Sequence, residues 1–205
     1  MNAKASDIFT ILTVCTGNIC RSPLAEQILE KELQGVKQIE INSAGVQAME
    51  GQPMPEPILK IARQNDVTNP ESHLGRQLNE AAITSADLVL AMDRGHRKSI
   101  VEMSPRATRK VFSVREFARL IDVTTDADLH EEVKAAGDNP ADKLRAAIEA
   151  ARLGRSDLQA LENPDDDDVV DPYGKSDSVY EASAKQLLPA VTTVASYLKR
   201  ALEME

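Results

Sequence analysis

Residues 11–26 read ILTVCTGNICRSPLAE, and this stretch decides the fold of the rest of the chain. Residues 8–14 are mostly apolar, which predicts a buried strand with Cys15 at its end. Ser22 suits a helix N-cap and Pro23 suits the first helical position. The stretch therefore predicts a strand, a short loop and a helix in direct succession.

The loop between Cys15 and Arg21 combines a nucleophile with an anion site. The first N–H groups of a helix have no intrahelical partners and lie at the positive end of its dipole. A loop that enters this end can direct its own backbone N–H groups at an anion. The same field favours the thiolate of Cys15, which is the nucleophilic form. Arg21 adds a planar fork that can hold two phosphate oxygens.

Composition limits the classes of function. The chain has 205 residues, 42% of them hydrophobic, which is enough for one domain with a sizeable core. A net charge of −9 disfavours nucleic acid and anionic membranes as partners. No apolar run is long enough to span a membrane, and residues 1–7 contain no signal-peptide core, so we expect a cytoplasmic protein.

The cysteines and histidines predict neither a disulfide scaffold nor a metal site. Cys15 and Cys20, the two cysteines of the sequence, both lie in the central loop, and they do not form a Cys-x-x-Cys motif. The three histidines are scattered without the spacing of zinc ligands. We therefore expect no metal and no cofactor.

Strand-like and helix-like segments alternate after the first helix, which predicts right-handed βαβ units around a parallel sheet. The predicted strands are 39–42, 86–92 and 110–114, and the predicted helices are 56–64 and 94–103.

The alternation breaks at residues 122–163, which predict two helices separated by a stop and a restart. Asn139 and Pro140 fit the N-cap and first position of the second helix. We interpret this segment as a helical pair packed on the edge of the domain. A last helix is predicted for 178–202, and Pro189 should kink or divide it.

Residues 14–23, VCTGNICRSP, resemble the signature of the low-molecular-weight protein tyrosine phosphatases. Asp171-Pro172-Tyr173 resembles the second signature of that family, and 43–45 and 86–93 also look like family segments. The resemblance implies a flavodoxin-like α/β fold, with three layers and a central parallel sheet of about four strands. It implies a single phosphatase domain over 1–205, in which 122–163 departs from the usual shorter form as a helical insertion.

The resemblance also implies roles for individual residues. Cys15 would attack phosphorus and form a phosphocysteine, while Arg21 would bind the oxygens that bear the transition-state charge. Asp171 would protonate the leaving oxygen and later activate water. The implied phosphate-binding loop consists of Thr16, Gly17, Asn18, Ile19, Cys20 and Ser22.

Several roles in and near the loop have competing interpretations. We expect Gly17 to permit an unusual backbone angle, and Asn18 to tolerate a left-handed conformation and to hold the loop through its side chain. Ser22 either caps the helix alone or also donates to the Cys15 sulfur. The aspartates of 165–168 are better interpreted as a solvated loop than as a field acting on Asp171.

Ile19, Met49 and Tyr173 are the candidate walls of the substrate pocket. An aromatic residue that often follows Ser-Ala-Gly in the family is absent here, and Met49 is the nearest substitute. Family members that act on phosphoarginine resemble this loop with Thr in place of Ile19, so Ile19 favours an aryl phosphate. The expected partners are therefore proteins that contain phosphotyrosine.

Two other functions fit part of this pattern. An arsenate reductase shares the fold and loop type, although the absence of further cysteines and the presence of Asp171 favour ester hydrolysis. A non-catalytic phosphate-binding module would not need both Cys15 and Asp171. Cys20 is either a small buried residue or the partner of Cys15 in a protective disulfide.

Overall fold

A computed structural model describes residues 7–204. Residues 1–6, which include most of the stretch considered for a signal peptide, and residue 205 lie outside the described part. The strands are β1 (Phe9–Cys15), β2 (Ile39–Gly45), β3 (Leu88–Ala91) and β4 (Val111–Ser113). The α-helices are α1 (Arg21–Glu32), α2 (Glu56–Gln64), α3 (Glu80–Ser85), α4 (Arg94–Met103), α5 (Val114–Val123), α6 (Asp126–Ala136), α7 (Pro140–Leu153) and α8 (Asp177–Glu203).

The four strands form one parallel sheet in the order β2-β1-β3-β4. The chain passes from β2 across β1 to β3, so the direction of winding reverses between β1 and β3. Parallel sheets of this kind bind ligands outside the carboxyl ends of the strands at such a switch point. Cys15 is the last residue of β1 and therefore lies at this point.

Helices cover both faces of the sheet and complete three layers. Ile11 and Leu90 pack in the larger core cluster, to which α1, α2 and α5 to α8 contribute. Val14 and Val89 pack in a second cluster with residues of α3 and α4. The predicted three-layer fold with a four-stranded parallel sheet is confirmed, and so are the predicted bounds of α2 and α4.

The helical pair α6–α7 is more deeply integrated than the sequence analysis predicted. Leu129 and Val133 of α6, and Leu144 of α7, are fully buried in the main core. Tyr197 of α8 donates a hydrogen bond to the Ala147 carbonyl over 2.8 Å. The apolar stripes predicted for this pair are thus buried, and they complete the core against α5 and α8.

Helix α8 runs through Pro189 without a break, so of the two predicted outcomes the division is wrong and the kink stays a prediction. Pro189 is exposed, whereas Leu187, Val191 and Val194 are buried in the core. Proline removes one backbone hydrogen bond from the solvent side, while the buried stripe on either side of it stays intact. Within residues 7–204, neither this helix nor another is long and apolar enough to cross a membrane.

Candidate active site

Helix α1 begins at Arg21, earlier than the sequence analysis predicted, and Cys20 occupies its N-cap position. Ser22 is therefore inside the first turn, and its side chain does not cap the helix. Instead, Ser22 Oγ lies 3.0 Å from Cys15 Sγ and accepts a hydrogen bond from Asn18 Nδ2 over 2.9 Å. The capping role proposed for Ser22 is wrong, whereas the contact with the sulfur is present.

Asn18, and not Gly17, adopts the left-handed conformation in the loop, with φ at 55°. The expectation for Gly17 is wrong, because a Cβ at that position would meet only ordinary contacts with Ile19 and Met49. The turn at Asn18 directs its backbone N–H to Cys15 Sγ over 3.3 Å. This geometry places a hydrogen-bond donor against the sulfur.

A buried polar network holds Asn18 in this conformation. Its side-chain amide donates to Ser43 Oγ over 2.8 Å, and its backbone carbonyl oxygen lies 2.7 Å from His73 Nε2. Ser43 in turn donates to Glu26, which also accepts from Arg76 over 2.7 Å. Burial alone would raise the pKa of Glu26, but the hydrogen bonds from His73, Ser43 and Arg76 hold that pKa below its usual value. Glu26 is therefore an ionised anchor beneath the loop.

The segment after β2 donates backbone hydrogen bonds to the carbonyl groups of the loop. The N–H groups of Val46, Gln47 and Met49 donate to the carbonyls of Cys15, Thr16 and Gly17 over 2.9–3.0 Å. Because these acceptors are paired, no free carbonyl among them opposes a bound anion. The close approach requires glycine at position 45, where a Cβ would lie 2.4 Å from the Thr16 oxygen. This contact explains the glycine of the Ser43-Ala44-Gly45 motif.

Arg21 is buried and faces three acceptors. Its Nη1 donates to the Val169 carbonyl over 3.0 Å and lies 3.3 Å from Asp93, while its Nη2 lies 2.9 Å from Asp171. Its Nε is also buried and has no hydrogen-bond partner within residues 7–204. The guanidinium is thus fixed in place and keeps a donor for an oxyanion.

Asp93 and His96 connect the arginine to the loop, and the sequence analysis missed both as site residues. Asp93 caps α4 through the His96 N–H over 2.7 Å, and its second oxygen lies 2.8 Å from His96 Nδ1. His96 Nε2 lies 2.8 Å from the Thr16 hydroxyl. Burial opposes ionisation of Asp93, but the bonds from His96 and the charge of Arg21 lower its pKa. An ionised Asp93 therefore orients Arg21.

These elements enclose a cavity of about 210 Å³ at the carboxyl end of the sheet. Asn18 and Ser22 lie behind it and are fully buried, and Gln47 is a lining residue that the sequence analysis did not select. The lining residues are Cys15, Thr16, Gly17, Ile19, Cys20, Arg21, Gln47, Met49, Asp171 and Tyr173.

Asp171 lies at the rim of this cavity, and its side chain is 50% exposed. One of its oxygens pairs with Arg21, and the other accepts the Tyr173 N–H over 3.2 Å. Ile19, Met49 and Tyr173 supply apolar surface beside it. The cavity thus combines a thiol, a cation, a carboxyl group and an apolar wall.

Two of the aspartates at 165–168 fit the predicted solvated loop, since Asp165 and Asp166 are exposed, whereas Asp167 and Asp168 are only partly exposed and are paired. Arg94 pairs with Asp165 and Asp168, and Arg119 lies 3.0 Å from Asp167. The partners belong to α4 and α5, which the sequence pattern did not bring near this segment. The run is therefore attached to the body of the protein.

Cys20 differs chemically from Cys15. Burial, followed by the nearby Cys15 and Asp171, raises the pKa of Cys20 to about 12, so it stays a thiol at neutral pH. Both cysteines are free, and a protective disulfide between them stays a prediction.

Within the described part of the chain, no group of three or more His, Cys, Asp or Glu side chains is placed to hold a metal ion.

Comparison with known proteins identifies relatives of this chain. The model of the family described as "Low molecular weight phosphotyrosine protein phosphatase" matches residues 10–154, which end before Asp171. A protein-arginine-phosphatase of Geobacillus stearothermophilus is 36% identical over 154 residues, 75% of this chain and 90% of that protein. The low molecular weight protein-tyrosine-phosphatase Etp of Escherichia coli K12 is 39% identical over 101 residues, 49% of this chain and 66% of that protein.

Solved structures agree with the fold. The YwlE arginine phosphatase from Geobacillus stearothermophilus superposes with a TM-score of 0.64 at 29% identity, over 93% of each chain.

Proposed function

The chain belongs to the low molecular weight phosphotyrosine protein phosphatase family, and from that premise we propose that it hydrolyses phosphotyrosine on proteins through a phosphocysteine at Cys15. The observation that supports this most is the meeting of Cys15, Arg21 and Asp171 in one cavity with an apolar wall. Because segments 150 residues apart build this site, we also propose that residues 1–205 act as one phosphatase domain.

In the first step, the Cys15 thiolate attacks phosphorus, the S–P bond forms and the P–O bond to the tyrosine breaks. The Asn18 N–H and the Ser22 hydroxyl stabilise the thiolate before the attack. Arg21 and the loop N–H groups bind the equatorial oxygens, on which the charge of the transition state is spread. Asp171 gives its proton to the leaving phenolate oxygen.

In the second step, water attacks the phosphorus of the phosphocysteine, and the Asp171 carboxylate accepts a proton from that water. The S–P bond breaks, inorganic phosphate leaves, and the Ser22 hydroxyl stabilises the thiolate that forms. In the structure Asp171 is paired with Arg21 over 2.9 Å. When phosphate replaces Asp171 as the partner of Arg21, the carboxyl group becomes free to act as an acid.

The substrate class has a second candidate, because a similar relative is a protein-arginine-phosphatase. Ile19 is buried in the loop and forms part of the cavity wall. An apolar side chain favours the ring of phosphotyrosine over the polar guanidinium of phosphoarginine, since the latter would lose hydrogen bonds to water. We therefore propose phosphotyrosine as the preferred substrate.

The variant Ile19→Thr tests this preference. We expect wild type to have the higher kcat/KM on a phosphotyrosine peptide than on the matched phosphoarginine peptide. The substitution should reduce that ratio by about tenfold, the usual scale for one changed pocket contact. Ile19→Val, which stays apolar, serves as the control. A wild-type preference for phosphoarginine would contradict the proposed substrate.

The variant Asp171→Asn tests the general acid. The amide cannot donate the proton that the leaving group needs, so kcat/KM should fall by roughly 10²–10⁴. The loss should be larger for phenyl phosphate than for para-nitrophenyl phosphate, because the nitrophenolate leaves without protonation. Since Asp171 is half exposed, the thermal unfolding midpoint should change little. Equal losses on both substrates would argue against an acid at this position.

The mechanism also bears on location. It needs Cys15 in its reduced form, and we propose a cytoplasmic location because thiols stay reduced in that compartment. Recombinant enzyme should accordingly lose activity under mild oxidation and regain it with a thiol reductant.

A further inference from the structure

Residues 164–174, here called the acid segment, contain five aspartates and no basic residue. We propose that Arg94, Arg115 and Arg119, here called the arginine clamp, are positioning residues that fix this segment so that Asp171 reaches the leaving-group oxygen. The inference rests on the proposed function, in which Asp171 is the general acid. It assigns a role in the reaction to three arginines that do not line the cavity.

Arg94 is the first residue of α4, and it contacts Asp168 through both its backbone and its side chain. Its backbone N–H donates to Asp168 Oδ1 over 2.9 Å, and its Nη2 donates to Asp168 Oδ2 over 3.1 Å. The same guanidinium pairs with Asp165. Because a carboxylate is favoured at a helix N-terminus, Asp168 is held by the dipole of α4 as well.

Arg115 and Arg119 hold the same segment from α5. Arg119 Nη1 donates to both oxygens of Asp167, over 3.0 and 3.1 Å, and its Nη2 donates to the Gln159 carbonyl. The Asp167 side chain is only 14% exposed, so this pair is partly shielded from solvent. Arg115 Nη1 donates to the Asp168 backbone carbonyl over 3.0 Å. The clamp therefore fixes backbone as well as side chains.

The clamped residues lead directly to the catalytic centre. Val169, which follows Asp168, donates its N–H to the Met92 carbonyl over 2.9 Å, and its own carbonyl accepts from Arg21 over 3.0 Å. Asp171 follows two residues later and pairs with Arg21. A shift of about 1 Å in a reacting group can slow an enzyme by about 10²-fold, so the position of this short segment matters for proton transfer.

Repulsion between the aspartates of the acid segment is a second reason why the clamp is needed. Asp165 to Asp168 and Asp171 place five like charges within seven residues, and their mutual repulsion favours an extended, detached segment. Exposed ion pairs such as Arg94–Asp165 contribute little to the free energy of unfolding, whereas the shielded Arg119–Asp167 pair contributes more. The clamp is therefore expected to act on the geometry of Asp171, and thermal unfolding of each variant is measured beside its kinetics.

The test compares kcat/KM on phenyl phosphate, whose leaving group needs a proton, and on para-nitrophenyl phosphate, whose leaving group does not. We expect Arg94→Gln/Arg119→Gln to lower kcat/KM on phenyl phosphate by about tenfold, and on para-nitrophenyl phosphate by less than about threefold. Arg152→Gln is the matched control. The Arg152 side chain is 26% exposed, as the Arg119 side chain is, but it pairs with Glu149 and with no residue of the acid segment. It should change neither value.

Two further variants test whether the arginines act by positioning Asp171. Asp167→Asn removes the Arg119 pair from the other side and should show a smaller effect of the same kind. In the Asp171→Asn background, the clamp substitutions should add no further loss, because they act through Asp171. Equal losses on both substrates, or an equal loss in Arg152→Gln, would overturn the clamp while leaving the acid in place. If Asp171→Asn itself failed to distinguish the substrates, the proposed acid and the clamp would both fall.

Discussion

Replacement of Cys15 by serine is expected to abolish turnover of para-nitrophenyl phosphate, with a fall in kcat of at least about 10⁴-fold. In the proposed mechanism the attacking group is the Cys15 sulfur, which the Asn18 N–H contacts at 3.3 Å and the Ser22 hydroxyl at 3.0 Å. A serine hydroxyl stays protonated near neutral pH and is a poor nucleophile without an adjacent base.

The binding site should survive this substitution, which provides the control. Arg21 and the loop N–H groups are unchanged, so Cys15→Ser should still bind inorganic phosphate, measured by calorimetry, with a Kd close to that of wild type. Turnover that stays within tenfold of wild type would show that Cys15 is not the nucleophile. Loss of phosphate binding together with turnover would indicate a damaged loop, and Cys15→Ala would then separate the two effects.

The variant Arg21→Ala should abolish turnover as well, with a loss of roughly 10³–10⁵, the scale found for arginines that stabilise phosphoryl transfer. The Arg21 side chain is 97% buried between Asp93 and Asp171, and its removal leaves Asp171 without its cation beside the phosphate, while Asp93 keeps only His96. Repulsion of the substrate should therefore raise KM as well as lower kcat.

Arg21→Lys identifies which property of the arginine matters. Lysine keeps the charge but lacks the planar fork, so it should recover only a small part of the activity. Arg63→Ala, which removes an exposed arginine paired with Glu56 and Glu71, should leave the kinetics unchanged. Activity in Arg21→Ala within tenfold of wild type would contradict the role of Arg21.

Local patterns predicted much of the fold and of the site. The strand–loop–helix unit, the bounds of α2 and α4 and the N-cap at Asn139 depend on residues close in sequence, and all are present in the structure. Every residue predicted for the cavity, apart from Asn18 and Ser22, lines it. Short-range spacing and capping preferences are sufficient for the strands, helices and caps, whereas the cavity residues other than Cys15 and Arg21 follow from the family resemblance.

Features set by contacts distant in sequence were not predictable in this way. The start of α1 and the conformation at Asn18 depend on Ser43, His73 and Arg76, which approach only in the folded chain. The same holds for the aspartate run, whose arginine partners lie about 50 to 70 residues away. A run of like charges in a sequence indicates a solvated segment, because the residues that pair with it come near only when the chain folds.

The central claim is that phosphoryl transfer passes through Cys15, and trapping of the intermediate tests it most directly. Wild-type enzyme would be mixed with para-nitrophenyl phosphate, quenched in denaturant within milliseconds and analysed by mass spectrometry of the peptide that contains Cys15. The expected result is a phosphoryl group on Cys15 that is absent from Cys15→Ser. A phosphoryl group on another residue, or rapid turnover with no covalent intermediate, would contradict it.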